Sequence, residues 1–324
     1  MDTDNEATMS STIEIQSLTK RFGGKTAVDS LSLSVPEGAI FALLGDNGAG
    51  KSTTIKMLTG QLQADAGRAT ILGEDCWANA VSLRHRVGYV PERPRFYDWM
   101  SVQEIGWFVA GFHSHGFLKR YNEFIDAFRI DPNAKLKNLS KGGYAKIGLS
   151  LALAVDPQVL ILDEPTSGLD LLTRREFLNS MVDLAGGGRT ILICSHQIAE
   201  VERIASHVAI MNEGKLLLVQ PIEELKKQFL RVRLRFEGAP PDPTSLGTVL
   251  ERNGSGRYWQ ALIRDPRIEA IESLRISPNV FDYEETAVAL EEIYASLLTR
   301  PSAKLAHVAV SEVEPLSIAK GGES

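Results

Sequence analysis

The chain has 324 residues, 44% of them hydrophobic, enough to fill the cores of two domains. Its formal charge of −6 gives no support to a nucleic-acid partner. Two cysteines far apart, Cys76 and Cys194, leave neither a disulfide framework nor a close pair of thiol metal ligands, and fit a reducing compartment.

The N-terminal "MDTDNEATMSST" is polar and acidic, without the basic start and apolar segment of a secretory signal, and residues 1–11 read as a disordered tail. No later apolar run approaches the roughly 18 residues needed to cross a bilayer, so a soluble chain is expected, and any membrane role has to come through a partner. Strands begin with "TIEIQSL" and "SLSLSV", in which Leu31, Leu33 and Val35 alternate with polar residues. The next strand, "GAIFALLG", is continuously apolar and runs straight into a glycine-rich loop and a helix, the way a nucleotide-binding α/β sheet opens.

That loop is Gly45-Asp46-Asn47-Gly48-Ala49-Gly50-Lys51-Ser52-Thr53, a full G-x4-G-K-[ST] match. Glycines let backbone N–H groups turn inward on phosphates, Lys51 supplies a point charge to the β and γ oxygens, and Ser52 offers its hydroxyl to Mg²⁺. By itself the loop specifies only a nucleoside triphosphate.

From about 92 to 140 the chain turns helical and aromatic ("FYDWMSVQEIGWFVAGF"), an expected helical insertion. Strands resume at "QVLILDE" and "TILICSH" with a helical segment between them, a βαβ unit and hence a parallel sheet. The first of these strands ends in Asp163 and Glu164. Two adjacent acids after a buried strand are costly unless a metal or a reaction uses them: Asp163 is placed to hold Mg²⁺, and Glu164 to orient and deprotonate an attacking water.

Near residue 220 the character changes. "LRVRLRF" alternates apolar residues with Arg231, Arg233 and Arg235, a half-exposed antiparallel strand. "YWQALI", "PRIEAIESLR", "NVFDY" and a final helix "ETAVALEEIYASLL", with Leu290, Ile293 and Leu297 on one stripe, complete a small α+β domain over 220–300. Residues 301–324 read as a second disordered tail. Two weaker signals are set aside. The D-x-x-G in "DLAGG" has no N-K-x-D companion, and His113 and His115 lack a third metal ligand.

"NLSKGGYAK" before "LSLALAVDPQVLILDEPTSGLD", and "ICSHQIAEVERIA" some thirty residues after it, resemble in their order the ATP-binding subunit of an ABC transporter, over roughly residues 12–219. The resemblance implies an α/β P-loop NTPase fold of ABC type with a helical insertion subdomain, followed here by the small C-terminal α+β domain. It implies an ATPase using ATP and Mg²⁺, with Lys51, Glu164 and His196 in catalysis. Phe22 matches the aromatic that stacks on adenine, and His196 the switch histidine at the γ-phosphate. Glu92 stands where the family usually has a glutamine that touches Mg²⁺ and the membrane partner; it adds negative charge near the phosphates.

Ser140 and Gly142 match the signature that closes on ATP held by a second subunit, and Asp170 the loop that meets that subunit. Lys141 replaces a glycine of the common "LSGGQ" form. "LSKG", with a lysine a few residues on, resembles a branch of ABC-2-type exporter ATPases whose membrane channel is a separate polypeptide. The expected partners are therefore a polytopic permease and a second ATP-binding subunit, identical or related, with no nucleic acid, and the expected location is cytoplasmic and peripheral to the membrane. An importer ATPase, or a soluble ABC ATPase acting on ribosomes or nucleic acid, would share the same ATP site.

Overall fold

The computed structural model describes residues 11–113, 115–239 and 241–299. The expected tails, 1–11 and 301–324, lie outside the described residues apart from Ser11, which opens the first strand instead of ending the tail. The chain forms the α/β architecture expected of a P-loop NTPase, built around a six-stranded sheet.

An antiparallel sheet comes first, from β1 (Ser11–Phe22) and β2 (Lys25–Pro36). β3 (Ile40–Leu44) follows, then the glycine loop and α1 (Lys51–Leu58). β4 (Ala66–Ile71) and β5 (Glu74–Asp75) return to the antiparallel sheet, giving the order β2-β1-β4-β5. A short α2 (Ala80–Leu83) leads to β6 (Val87–Val90). The helical layer then comprises α3 (Val102–Ala110), α4 (Phe117–Ala127) and α5 (Lys141–Ala154). β7 (Val159–Asp163), α6 (Leu171–Gly186), β8 (Thr190–Ser195), α7 (Ile198–Ile204), β9 (His207–Asn212) and β10 (Lys215–Pro221) complete the main sheet.

Its order is β10-β9-β3-β8-β7-β6, parallel throughout except for the antiparallel edge strand β10. The central strands are apolar on both faces because both faces are covered. Along β3, Ile40, Ala42 and Leu44 join one core cluster, and Phe41 and Leu43 the other. β7 splits in the same way, Leu160 and Leu162 against Val159 and Ile161. The first cluster packs against α5, α6 and α7, the second against α1 and the antiparallel sheet.

α8 (Ile222–Lys227) leads to the third sheet: β11 (Phe229–Phe236), β12 (Thr248–Ser255), β13 (Tyr258–Arg264) and, after α9 (Ile268–Arg275), β14 (Val280–Thr286), ordered β12-β13-β11-β14. Val232, Leu234 and Phe236 face inward on Trp259, Ile263 and α9. Arg233 and Arg235 face outward and pair with Glu284 and Asp282, whereas Arg231, on the same face, is largely covered where it pairs with Glu292. The half-exposed face that the alternation predicts is therefore solvated at Arg233 and Arg235 and covered at Arg231.

α10 (Leu290–Thr299) leaves this sheet and packs back on the first cluster, where Leu290 and Ile293 are fully buried with Val208 and Ile210. Its first turn is fixed by the Leu290 N–H donating to Glu202 of α7 at 3.2 Å. The helix lies in the 220–300 segment by sequence and in the core of the ATPase sheet by packing. Among the described residues no helix is long and apolar enough to cross a membrane.

Candidate ATP site

The site lies at the C-terminal ends of β3, β7 and β8, where open α/β sheets bind ligands. Leaving β3, the chain has to wrap inward within a few residues, and two glycines make this possible. Gly45 passes so near β9 that a Cβ there would sit 2.6 Å from the Met211 carbonyl. Gly50 has φ +105°, and a Cβ would meet the Ala27 carbonyl at 2.6 Å. Lys51 opens α1, so the first free N–H groups of the helix face the cleft.

The Lys51 side chain is folded over its own loop: Nζ donates to the Gly45 carbonyl at 2.5 Å and to that of Asp46 at 3.3 Å, and lies 3.6 Å from Glu164 Oε1. The loop is thus held in its curl around a buried ammonium. The surrounding cleft, of about 450 Å³, is lined by Phe22, Asp46, Asn47, Gly48, Gly50, Lys51, Ser52, Thr53, Glu92, Glu164 and His196. Ala49 is buried behind the loop, where its carbonyl accepts from Gly214 N–H. Phe22 is 52% exposed at the tip of the β1–β2 hairpin, with Lys20 Nζ 5.6 Å from its ring centre, so the ring offers an open face.

β7 delivers the two acids into different surroundings. Asp163 is buried and accepts from Ser52 Oγ at 3.3 Å. Burial raises its pKa; the Ser52 hydrogen bond and Lys51 oppose the shift, and the nearby Glu164 and Glu92 reinforce it. A buried carboxyl, a hydroxyl and the Glu92 carboxylate make the oxygen donor set of a hard dication. Mg²⁺ fits these residues, since a bound cation offsets the burial and like-charge repulsion that disfavour ionised Asp163.

Glu164 stands at φ +49°, a left-handed conformation that costs a residue with a Cβ about 1–3 kcal/mol. Its N–H donates to the Cys194 carbonyl at 2.9 Å, and its own carbonyl accepts from Ser167 N–H at 3.1 Å. The turn aims the carboxylate at β8. There Glu164 Oε2 lies 2.7 Å from His196 Nδ1 and accepts from the His196 N–H at 3.3 Å. Glu164 is almost buried, and the His196 side chain is half exposed toward the cleft. Lys51, Glu164 and His196 therefore form one hydrogen-bonded and ion-paired row.

Ser140, Gly142 and Asp170 do not line this cleft. Ser140 caps α5, accepting from Gly143 N–H at 3.1 Å, and lines a separate depression with Lys141, Gly168 and Glu92. Gly142 lies in the first turn of α5 against Thr173. Asp170 caps α6, accepting from the Leu172 and Thr173 N–H groups and from the Thr173 hydroxyl, bonds that lower its pKa. Glu92 lines both concavities and pairs with exposed Arg93 at 3.5 Å. Of the weaker signals, His113 stacks on Phe117 and meets His85 edge-on. Among the described residues no group of three or more His, Cys, Asp or Glu gathers as a metal site.

Sequence reasoning missed three wall residues of the cleft, Lys25, Ala27 and Ser167. Ser167 sits within "DEPTSGLD", so its position carried a signal; Lys25 and Ala27 arrive from a hairpin with none. It also missed a partly buried relay behind the site. Thr166 Oγ1 donates to Glu200 Oε2 at 2.7 Å, Glu200 pairs with Arg174 at 3.0 Å, and Arg174 donates to the Leu169 carbonyl at 3.1 Å. This ties the loop after Glu164 to α7, the helix that follows His196.

The ABC transporter family profile matches residues 28–167. A bacitracin transport ATP-binding protein of Bacillus licheniformis is 36% identical over 224 residues, covering 68% of this chain and 73% of that one. The chain belongs to the ATP-binding proteins of ABC transporters. A daunorubicin/doxorubicin resistance ATP-binding protein of Streptomyces peucetius is 29% identical over 307 residues, 90% of this chain and 93% of its own. Among solved structures, an ATP-binding subunit of an ABC transporter superposes with a TM-score of 0.62 at 26% identity, over 67% of this chain and 92% of that one. As an ABC ATP-binding subunit the chain is an ATPase that uses ATP and Mg²⁺. Subunits of this family dimerise and work with a membrane permease.

Proposed function

We propose that this ABC subunit powers export through a separate polytopic partner of the ABC-2 type, docking on it from the cytoplasmic side. The observation that carries this reading is the similarity to the drug-resistance ATP-binding protein across 90% of the chain, C-terminal sheet included. The "LSKG" signature at Leu139–Gly142 and the relative named for bacitracin transport point the same way.

In this reading Phe22 stacks on adenine, and the loop Gly45–Thr53 cradles the phosphates with Lys51 at the β and γ oxygens. Ser52 and Asp163, with Glu92 beside them, hold Mg²⁺, which supplies charge neutralisation on the phosphates. Glu164 takes a proton from the attacking water, and His196, bonded to it through Nδ1, holds the carboxylate in place and faces the γ-phosphate. Ser140 and Gly142, which do not line their own chain's cleft, complete the cleft of a second subunit, with Asp170 at the seam. ATP closes the pair and hydrolysis opens it; the helical layer and the Glu92 loop carry that motion to the permease.

The test is affinity purification of tagged Glu164→Gln chain with ATP–Mg²⁺ from native membranes, followed by mass spectrometry. A polytopic protein of exporter type is the expected companion. A permease with a periplasmic binding protein would make the subunit an importer's, and recovery of ribosomes or nucleic acid would refute the transport reading.

A further inference from the structure

The phosphate loop has a partner from the far end of the chain. Tyr294 of α10 donates its hydroxyl to Asp46 Oδ1 at 3.0 Å, across 248 positions of sequence. Tyr294 is almost fully buried, and its helix is seated by Leu290 and Ile293 in the sheet core and by the Glu202 contact at its first turn. Burial and the Asp46 carboxylate both push the Tyr294 phenol upward, so it stays protonated and a donor.

Asp46 is an awkward residue at this place. It lines the cleft in which a polyphosphate carrying several negative charges binds, and its backbone carbonyl already accepts from Lys51. A free carboxylate there repels the ligand and competes for the Lys51 ammonium. Tied to Tyr294, it is instead occupied by a neutral donor and held on the α10 side of the loop.

We propose that Tyr294 is a positioning residue for nucleotide binding, restraining the Asp46 carboxylate so that the phosphate loop accepts ATP, and thereby making ATP affinity depend on the docking of the C-terminal helix. This rests on the assignment of loop 45–53 as the phosphate cradle.

The experiment is titration of the full chain with a fluorescent N-methylanthraniloyl ATP and Mg²⁺, comparing wild type, Tyr294→Phe, Asp46→Asn and the double variant, with melting temperatures recorded in parallel. Tyr294→Phe is expected to weaken ATP binding on the order of 10-fold, the scale of a lost hydrogen bond to a charged group. In the Asp46→Asn background, where there is no carboxylate to restrain, the same substitution is expected to change affinity less than about twofold. A weakening below about twofold in the wild-type background, or an equal loss in both backgrounds, overturns the proposal, the second result meaning that Tyr294 acts only through packing. Lys51→Ala separates the two assignments: if it leaves ATP binding intact, the cradle assignment itself fails.

Discussion

At the scale of single residues the site concentrates what the rest of the fold avoids. Glu164 combines a left-handed backbone, near-complete burial and two polar partners, an arrangement that holds only if the surroundings over-determine it. Glu164→Gln keeps the shape and removes the base. ATP binding is expected to survive while steady-state phosphate release falls about 10²- to 10⁴-fold; a normal hydrolysis rate would remove Glu164 from the base role. His207, outside the site, yields a pH prediction. It is buried, its ring stacks on Phe41 and its Nδ1 lies 2.9 Å from Ser206 Oγ. Burial lowers its pKa, so the folded state binds fewer protons than the unfolded one. Stability from this group is therefore complete above the unfolded value of about 6.5 and declines as pH falls through it toward the lower folded value. His113 is shifted in the same direction by burial and by His85. Melting temperatures measured between pH 7.5 and 5.5 should fall, and His207→Gln should flatten part of that fall.

At the scale of elements, the sequence is readable wherever one segment carries both a structural period and its chemistry. β3 with its glycine loop and β7 with its two acids are such segments, because a strand covered on both faces has to be apolar throughout and its end has to be the site. The amphipathic stripe of α10 is legible too, yet a stripe says that a face is buried, not what it is buried against. Its landing on the ATPase half is fixed by contacts 88 and 248 positions apart. β12 escapes for the opposite reason. As an edge strand it buries only Leu250 and shows little alternation for a pattern to catch. The docking of α10 makes a quantitative prediction: Ile293→Ala should destabilise the chain by about 2–5 kcal/mol in denaturant unfolding, as a fully buried core truncation does. A loss under about 1 kcal/mol would mean that the helix is only loosely seated. Glu200→Ala strips the acceptor from the buried Thr166 hydroxyl and the partner from Arg174. It should cost about 1–3 kcal/mol in the same measurement.

At the scale of the whole molecule, the cleft and the signature depression are neighbouring concavities that share Glu92 and Ser167. Under the proposed function each ATP needs a second subunit, so nucleotide and assembly are linked. In Glu164→Gln, ATP–Mg²⁺ should convert the chain to a dimer in light scattering, and adding Ser140→Ala should abolish that dimer while the chain remains folded. A dimer unaffected by Ser140→Ala would place the second subunit elsewhere.

The return of α10 to the first sheet also sets a timetable for biosynthesis. Domains fold as they leave the ribosome, at about 5–20 residues per second. The stretch of 248 residues between Asp46 and Tyr294 therefore separates the emergence of the phosphate loop from that of its last contact by roughly 10–50 s. During that interval the face of α7 against which α10 packs stands open on the nascent chain. The ATPase half, although made first, is finished last, and a translation stall anywhere in the C-terminal sheet leaves it bare.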